Sequence, residues 1–359
     1  MKIALVHDYL HTYGGAEKVL EGLHKIYSDA PVFTGVYYPE KMPKSFQSWD
    51  IRPTYLQKVP RELKSFLKPL YPNAFEHLDL SEYDVVISSS AGVAKGIGMR
   101  KKLRPKIHIA YTHTPPRLAW KIDEGRDGFI ENFISDQSRK WDLKASKRVD
   151  YFIANSEVVQ KRIKHFYGKE SVIINPPINI KELYKASESI EKKDYFVFVG
   201  RLETYKGPIE IAKAVNELDL KLKIIGTGLL EEELKKFGPN IEVLGFVSEE
   251  EKEKIVAESK AMVFWAYEDF GIVMAESLAL GTPVIAYKKG GATEILSKNT
   301  GEFYDEQKIE NLLEAVKSFD TAKFDKDVMQ KSVEKYSSEN FEKKIKDFVE
   351  FAVKDYENK

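Results

Sequence analysis

Short apolar runs alternate along the whole chain with longer segments in which apolar residues recur every three or four positions. Continuous apolar runs read as strands buried on both faces of a parallel sheet, and the 3.6-residue periodicity between them reads as helix. The pattern predicts strands over Lys2–His7, Val32–Val36, Val85–Ser88, Ile107–Tyr111, Tyr151–Ala154 and Val172–Ile174. After a break it predicts five more, over Tyr195–Val199, Leu222–Ile225, Ile241–Val243, Ala261–Phe264 and Pro283–Ala286. The break is Asn175-Pro176-Pro177 followed by the polar stretch Lys181–Asp194, which reads as a linker. The fold class is therefore α/β, with two doubly wound, Rossmann-like domains around a cleft, over residues 1–177 and 178–337. The tail 338–359 is expected to form one amphipathic helix that packs back on the N-terminal domain, with Phe341, Ile345, Phe348, Val349 and Ala352 on one stripe.

Composition narrows the chemistry. The 359 residues include no cysteine, which removes disulfides, thiol nucleophiles and thiolate metal sites and fits a cytoplasmic location. The first apolar run, Ile3–Val6, is too short for a signal peptide, and no apolar run approaches the ~18 residues of a membrane span. A net charge of zero hides an asymmetry: residues 1–180 hold 28 Lys and Arg against 20 Asp and Glu, and residues 181–359 hold 28 against 36. Such a split suggests that the basic half meets something anionic. All seven histidines also lie in that half.

In open α/β sheets, ligands bind beyond the carboxyl ends of the strands. After the first predicted strand, Gly14-Gly15 opens a helix, where backbone N–H groups can approach a phosphate; a Gly-Gly pair also serves as a plain tight turn. After the strand at 195–199 comes Gly200-Arg201, with Lys206 further on. Arg201 is the only arginine of the second half, which points to a need for its bidentate fork on phosphate. After the strand at 261–264 comes Glu268-Asp269-Phe270-Gly271, then an apolar helix carrying Glu276. No basic residue stands three or four positions from Glu276, so it should accept hydrogen bonds from ligand hydroxyls or from a basic group elsewhere in the fold. Gly271 leaves that helix N-terminus uncovered for an anion. After the strand at 107–111, His113 stands in the proline-stiffened loop Thr112–Arg117.

Other motifs carry less. Gly226-Thr227-Gly228 looks like a dinucleotide turn, but Glu231, Glu232 and Glu233 follow where a pyrophosphate would sit. Asp325-Lys326-Asp327 lies in a charged helical stretch and reads as surface, and His7 and His11 span a strand end rather than one helix face.

Taken together and in order, these residues resemble the retaining glycosyltransferases of the GT-B fold, in the large family numbered 4. The strongest part is Glu268 and Glu276 in a Glu-x7-Glu spacing, followed by Ala279–Ile285 and by Gly290-Gly291 with Glu294. The resemblance implies that Glu268 contacts the donor sugar, Glu276 the nucleotide ribose, and Arg201 and Lys206 the diphosphate. It implies that His113 lies near the transferred sugar. Gly14, Gly15, Gly200, Phe270 and Gly271 complete the implied donor set, and His7, Asn155 and Arg117 fall on the acceptor side. The segments Val6–Tyr9, Gly14–Leu20 and His113–Trp120 resemble mannosyltransferases of O-antigen assembly, which would make GDP-mannose the donor. The implied enzyme uses no metal or cofactor, binds no nucleic acid, and passes a hexose to a lipid-linked saccharide. A UDP-sugar donor, a sugar-nucleotide epimerase and a non-catalytic nucleotide-sugar-binding protein stay open as alternatives, and nothing in the sequence gives the oligomeric state.

A peripheral position on the inner face of the cell membrane is also expected. Residues 56–71 place Val59, Leu63, Phe66, Leu67 and Leu70 at helical spacing beside Lys58, Arg61, Lys64 and Lys68. Arg100, Lys101, Lys102 and Arg104 form a second basic cluster, and such segments bind anionic membranes.

Overall fold

The computed structural model describes residues 1–60, 70–122 and 129–359, excluding the side chains of 129–131. The chain divides into two compact units, Met1–Pro177 together with Glu339–Lys359, and Ile178–Ser338.

The first unit is built on a seven-stranded parallel sheet: β1 Ile3–His7, β2 Val32–Thr34, β3 Ile51–Pro53, β4 Val85–Ser90, β5 Ile107–Thr112, β6 Tyr151–Ala154 and β7 Ser171–Ile173. Their order is β3-β2-β1-β4-β5-β6-β7. The second unit has six parallel strands: β8 Phe196–Val199, β9 Leu222–Ile225, β10 Ile241–Gly245, β11 Ala261–Phe264, β12 Val284–Tyr287 and β13 Gly301–Tyr304. Their order is β10-β9-β8-β11-β12-β13. Both are the doubly wound sheets that the apolar pattern predicts. The order reverses between β1 and β4 in one and between β8 and β11 in the other, which are the switch points where such folds bind ligands.

One face of the first sheet is covered by the helix Gly15–Ile26, which buries Val19, Leu20 and Leu23, and by the helix Ser338–Glu357. That last helix lays Phe341, Ile345, Phe348, Val349 and Ala352 into the core around Leu5, Ile87 and Ile109. The central strands are apolar on both faces because helices cover both. β3 and β13, absent from the predicted set, are sheet-edge strands of three and four residues with half-polar sequences.

One expectation is corrected. The stretch after Pro177 is not a linker, since Ile180–Ala186 forms a helix whose Ile180 and Leu183 join the core of the second unit. Tyr184 and Ala186 pack against the same core, partly buried. Beyond it, Lys192 Nζ donates to Ala257 O and Thr282 Oγ1 at 2.8 and 2.6 Å, and burial pushes its ammonium down to about 7.

The expected basic helix over 56–71 lies largely outside the described residues, which stop at Pro60 and resume at Leu70. Its first part is a 3-10 turn, Tyr55–Lys58, with Leu56 buried against Val36 and Ala74. That turn follows β3, at the carboxyl edge of the sheet. The turn Lys101–Leu103 precedes β5, and Leu103 O accepts from the Leu80 N–H ahead of β4. The second basic cluster therefore sits at the amino edge, and Arg104 in it pairs with Asp150.

Candidate active site

The parallel register of the first sheet sets His7 beside Ser89, and Ser89 beside Tyr111, so these side chains share one face at the carboxyl ends of three adjacent strands. His113 follows two residues after Tyr111 on that same face. The Ser89 hydroxyl lies 2.7 Å from His113 Nε2 and 3.1 Å from His7 Nδ1. His7 Nε2 lies 3.3 Å from Glu17 Oε1 in the first turn of the helix that Gly14 opens. Gly14 is extended and makes no side-chain cap, so the first N–H groups of that helix stay available. The main chain of His113 is pinned on both sides: its N–H donates to Ser90 O at 2.9 Å, and its carbonyl accepts from Asn155 Nδ2 at 3.0 Å. Burial, with the neighbouring His7, pushes the His113 imidazole down to about 3. His113, His7, Gly14 and Asn155 are thus gathered at one place, and Asn155 acts on the His113 backbone. Arg117 stands four residues on, opening the short helix Arg117–Trp120.

Ser89 was not among the expected residues, and neither was Asp8. The Asp8 carboxylate accepts from the N–H groups of Ala91, Val93 and Ala94 at 2.7, 2.8 and 2.6 Å, which fixes the loop after β4. Each serine of the triplet Ser88-Ser89-Ser90 has its own buried partner, respectively His108, the His7–His113 pair and Asp8. Three consecutive hydroxyls at the end of an apolar strand were the available signal.

At the carboxyl edge of the second sheet, the loop after β8 carries Arg201 and Lys206, and the loop after β11 carries Glu268. The Lys206 ammonium pairs with the Glu268 carboxylate, both mostly buried. Arg201 is exposed, donates to the Tyr205 hydroxyl and lies over its ring at 5.7 Å, while Lys206 lies over the same ring at 5.3 Å. Tyr205, which sequence reasoning passed over, holds the two cations side by side. Gly271 (φ 93°) opens the helix Ile272–Ala279 without a side-chain cap, in a backbone region that favours glycine. The ring of Phe270 turns into the core, edge-on to Tyr336 at 5.1 Å.

Glu276 finds a basic partner on another helix: Lys252 Nζ lies 3.5 Å from its Oε2 and 2.5 Å from Glu249 Oε2. Gly226 and Gly228 serve packing. A Cβ at Gly226 would stand 1.8 Å from Gly200 O, and one at Gly228 2.5 Å from Leu202 O. These glycines let the β9 loop lie directly on the loop that bears Arg201. Likewise Gly291 donates its N–H to Glu268 O at 2.8 Å, and a Cβ there would stand 1.9 Å from Phe270 O. Asp325 caps the helix Lys326–Val333 by accepting from the Val328 N–H at 2.9 Å. Among the described residues no group of three or more His, Asp or Glu side chains is arranged to hold a metal ion, and no helix is long and apolar enough to cross a membrane.

Comparison with known proteins bears on the family and the fold. Residues 13–182 match the model described as Glycosyltransferase Family 4, and residues 179–339 the one described as Glycosyl transferases group 1. An uncharacterised glycosyltransferase of Methanocaldococcus jannaschii is 24 % identical over 82 % of this chain and 81 % of its own. The O-antigen chain mannosyltransferase C of Escherichia coli is 23 % identical over 41 % of this chain and 42 % of its own. Among solved structures, HepE of Anabaena in complex with UDP and glucose matches with a TM-score of 0.76 at 18 % identity, over 98 % of this chain and 99 % of that one. The sucrose-phosphate synthase of Thermosynechococcus elongatus matches with a TM-score of 0.77 at 17 % identity, over 98 % of each chain. With matches running from residue 13 to residue 339 and both sheets in place, the chain belongs to the glycosyltransferases of the GT-B fold, family 4 type.

Proposed function

We propose that this glycosyltransferase moves mannose from GDP-mannose, with retention of configuration, to a lipid-linked or polysaccharide acceptor in cell-surface glycan assembly. The observation that carries this reading is the pairing of Lys206 with Glu268 beside Arg201 and the uncapped helix end at Gly271. A diphosphate is a stronger partner for Lys206 than one carboxylate. Its arrival exchanges Glu268 for phosphate and frees the carboxylate for sugar hydroxyls. Arg201, Lys206 and loop N–H groups then stabilise the charge that develops on the leaving diphosphate. Glu276 takes the ribose hydroxyls, and His113 orients the transferred sugar. The acceptor hydroxyl attacks from the side of the leaving group, whose phosphate oxygens take its proton, so no separate base, metal or covalent carboxylate intermediate is called for.

Mannose is favoured by the O-antigen mannosyltransferase relative and by the His113–Trp120 segment. A second reading, a UDP-sugar donor, is favoured by the HepE structures, which hold UDP and UDP-glucose. Incubation of each sugar nucleotide with and without a polyprenyl-linked saccharide separates the readings. Mannose appearing on the acceptor with release of GDP supports the proposal; transfer from a UDP-sugar alone replaces the donor. A new sugar nucleotide formed without acceptor makes the protein an epimerase. A cytoplasmic enzyme docked on the inner membrane face would reach such an acceptor. Flotation with anionic liposomes at low and high salt tests that placement: binding lost in Lys64→Glu plus Lys68→Glu supports it, and no binding to anionic liposomes at low salt ends it.

A further inference from the structure

Glu17, His7, Ser89 and His113 form one unbroken line of hydrogen-bonding groups, with separations of 3.3, 3.1 and 2.7 Å. The line has a direction, because its first member can only accept. An ionised carboxylate offers no proton, so the hydrogen between Glu17 and His7 belongs to His7 Nε2. With one hydrogen on its ring, His7 then has a bare Nδ1, which accepts from the Ser89 O–H. The Ser89 oxygen is left to accept from His113 Nε2–H. His113 keeps Nδ1 without a hydrogen, and that nitrogen has no hydrogen-bond partner among the described residues.

We propose that Glu17 and His7, acting through the Ser89 hydroxyl, are positioning residues that hold His113 as the Nε2–H tautomer, so that it offers a hydrogen-bond acceptor at Nδ1 to a sugar hydroxyl. The tautomer of an imidazole is set by what its other nitrogen bonds, and here that choice is relayed across three strands from a carboxylate. Burial supports the arrangement: His7 is 2 % exposed, and the low proton affinity of His113 keeps its ring neutral. Asn155 holds the same residue by its carbonyl, so main chain and ring are fixed independently. A hydroxyl donating to Nδ1 becomes a better acceptor itself, which suits a sugar alcohol held for transfer rather than an anion. Ionic groups of the donor are thus left to the second unit's cations. This role rests on the reading that His113 touches the transferred sugar; the tautomer does not.

Long-range proton–nitrogen correlation spectra of protein labelled with 15N-histidine read the tautomer directly. The wild-type protein is expected to show His113 protonated at Nε2 alone. Glu17→Gln, whose amide can donate, should bring in the Nδ1–H form, and Ser89→Ala should release the tautomer, while Ser89→Thr retains it. Transfer should follow, with kcat falling about ten-fold in Glu17→Gln at little change in donor KM. His113 protonated at Nδ1 in the wild-type protein, or a spectrum unchanged in both Glu17→Gln and Ser89→Ala, overturns the proposal. His113→Ala separates the two ideas. If it leaves transfer intact while the tautomer is as stated, the sugar-contact reading fails and the relay stands. If it abolishes transfer while the tautomer is not fixed, the relay alone fails.

Discussion

Glu276 shares a lysine with a second carboxylate: Lys252 Nζ lies 3.5 Å from its Oε2 and 2.5 Å from Glu249 Oε2. Glu276 is 9 % exposed, and that lysine sits closer to Glu249 than to it. Burial, with Glu249, Glu276 and Glu182 nearby, raises the proton affinity of Glu253 on the same helix as Lys252. In the proposed function Glu276 accepts from ribose hydroxyls. Glu276→Gln should therefore weaken donor binding by about 1.5–3 kcal/mol, the usual worth of a hydrogen bond to a charged group, while Lys252 keeps Glu249 and the fold. Titration with donor and a melting curve check it together. Unchanged affinity with a large loss of melting temperature would make Glu276 a structural ion instead. At this scale the sequence tells which residue types stand at strand ends but not their partners, because Lys252, Ser89 and Tyr205 arrive from elements distant in the chain or carry no motif.

Among elements, the strand-end loops of the second sheet are held by close backbone contacts that only glycine allows. Gly226 has φ 138° and its Cβ would stand 1.8 Å from Gly200 O, one residue before Arg201. Gly226→Ala should push that loop outward, costing about 1–3 kcal/mol of stability and shifting the guanidinium from its place. Gly238→Ala is the comparison, since Gly238 also has a positive φ of 97° but nothing within 4 Å of its Cβ position. Chemical denaturation of both variants, with donor affinity, isolates the contact. Equal losses in the two would reduce the effect to backbone strain. The central strands were legible because helices on both faces demand unbroken apolar runs. The edge strands β3 and β13 and the helix Ile180–Ala186 were not, since one buried face leaves too few apolar positions to stand out. The Gly-x-Gly at 226 was visible as a motif, yet its use in loop packing depends on a neighbour strand that no local pattern names.

For the molecule as a whole, the uneven placement of histidine has a consequence in acid. His108 and His113 both lie in the first unit, and burial pushes each down to about 3 from an ordinary value of 6.5. Both are neutral in the folded unit and take a proton on unfolding once the pH is below about 6.5. Their stabilising contribution is therefore complete above that pH and is lost as the pH falls towards about 3. The steepest slope is about 1.4 kcal/mol per pH unit for each histidine. Unfolding followed through Trp49, Trp120 and Trp141 of the first unit should shift more with pH than that followed through Trp265 of the second. His108→Gln should flatten the first dependence; equal shifts in the two units would contradict the assignment. The charge split between halves was plain in the sequence, whereas the burial that sets the acid response of His108 and His113 depends on strand neighbours that no local pattern names.

Calorimetric titration of the intact protein with GDP-mannose, in the wild type and in Arg201→Lys, bears most directly on the proposal that a nucleotide sugar is held by the loops after β8 and β11. GDP-mannose should bind the wild-type protein. Arg201→Lys keeps the charge and loses the bidentate fork, so its affinity should fall by about 1.5–3 kcal/mol, roughly 10- to 150-fold in Kd. Binding of the same strength in Arg201→Lys, or no heat from any nucleotide sugar with the wild-type protein, would contradict it.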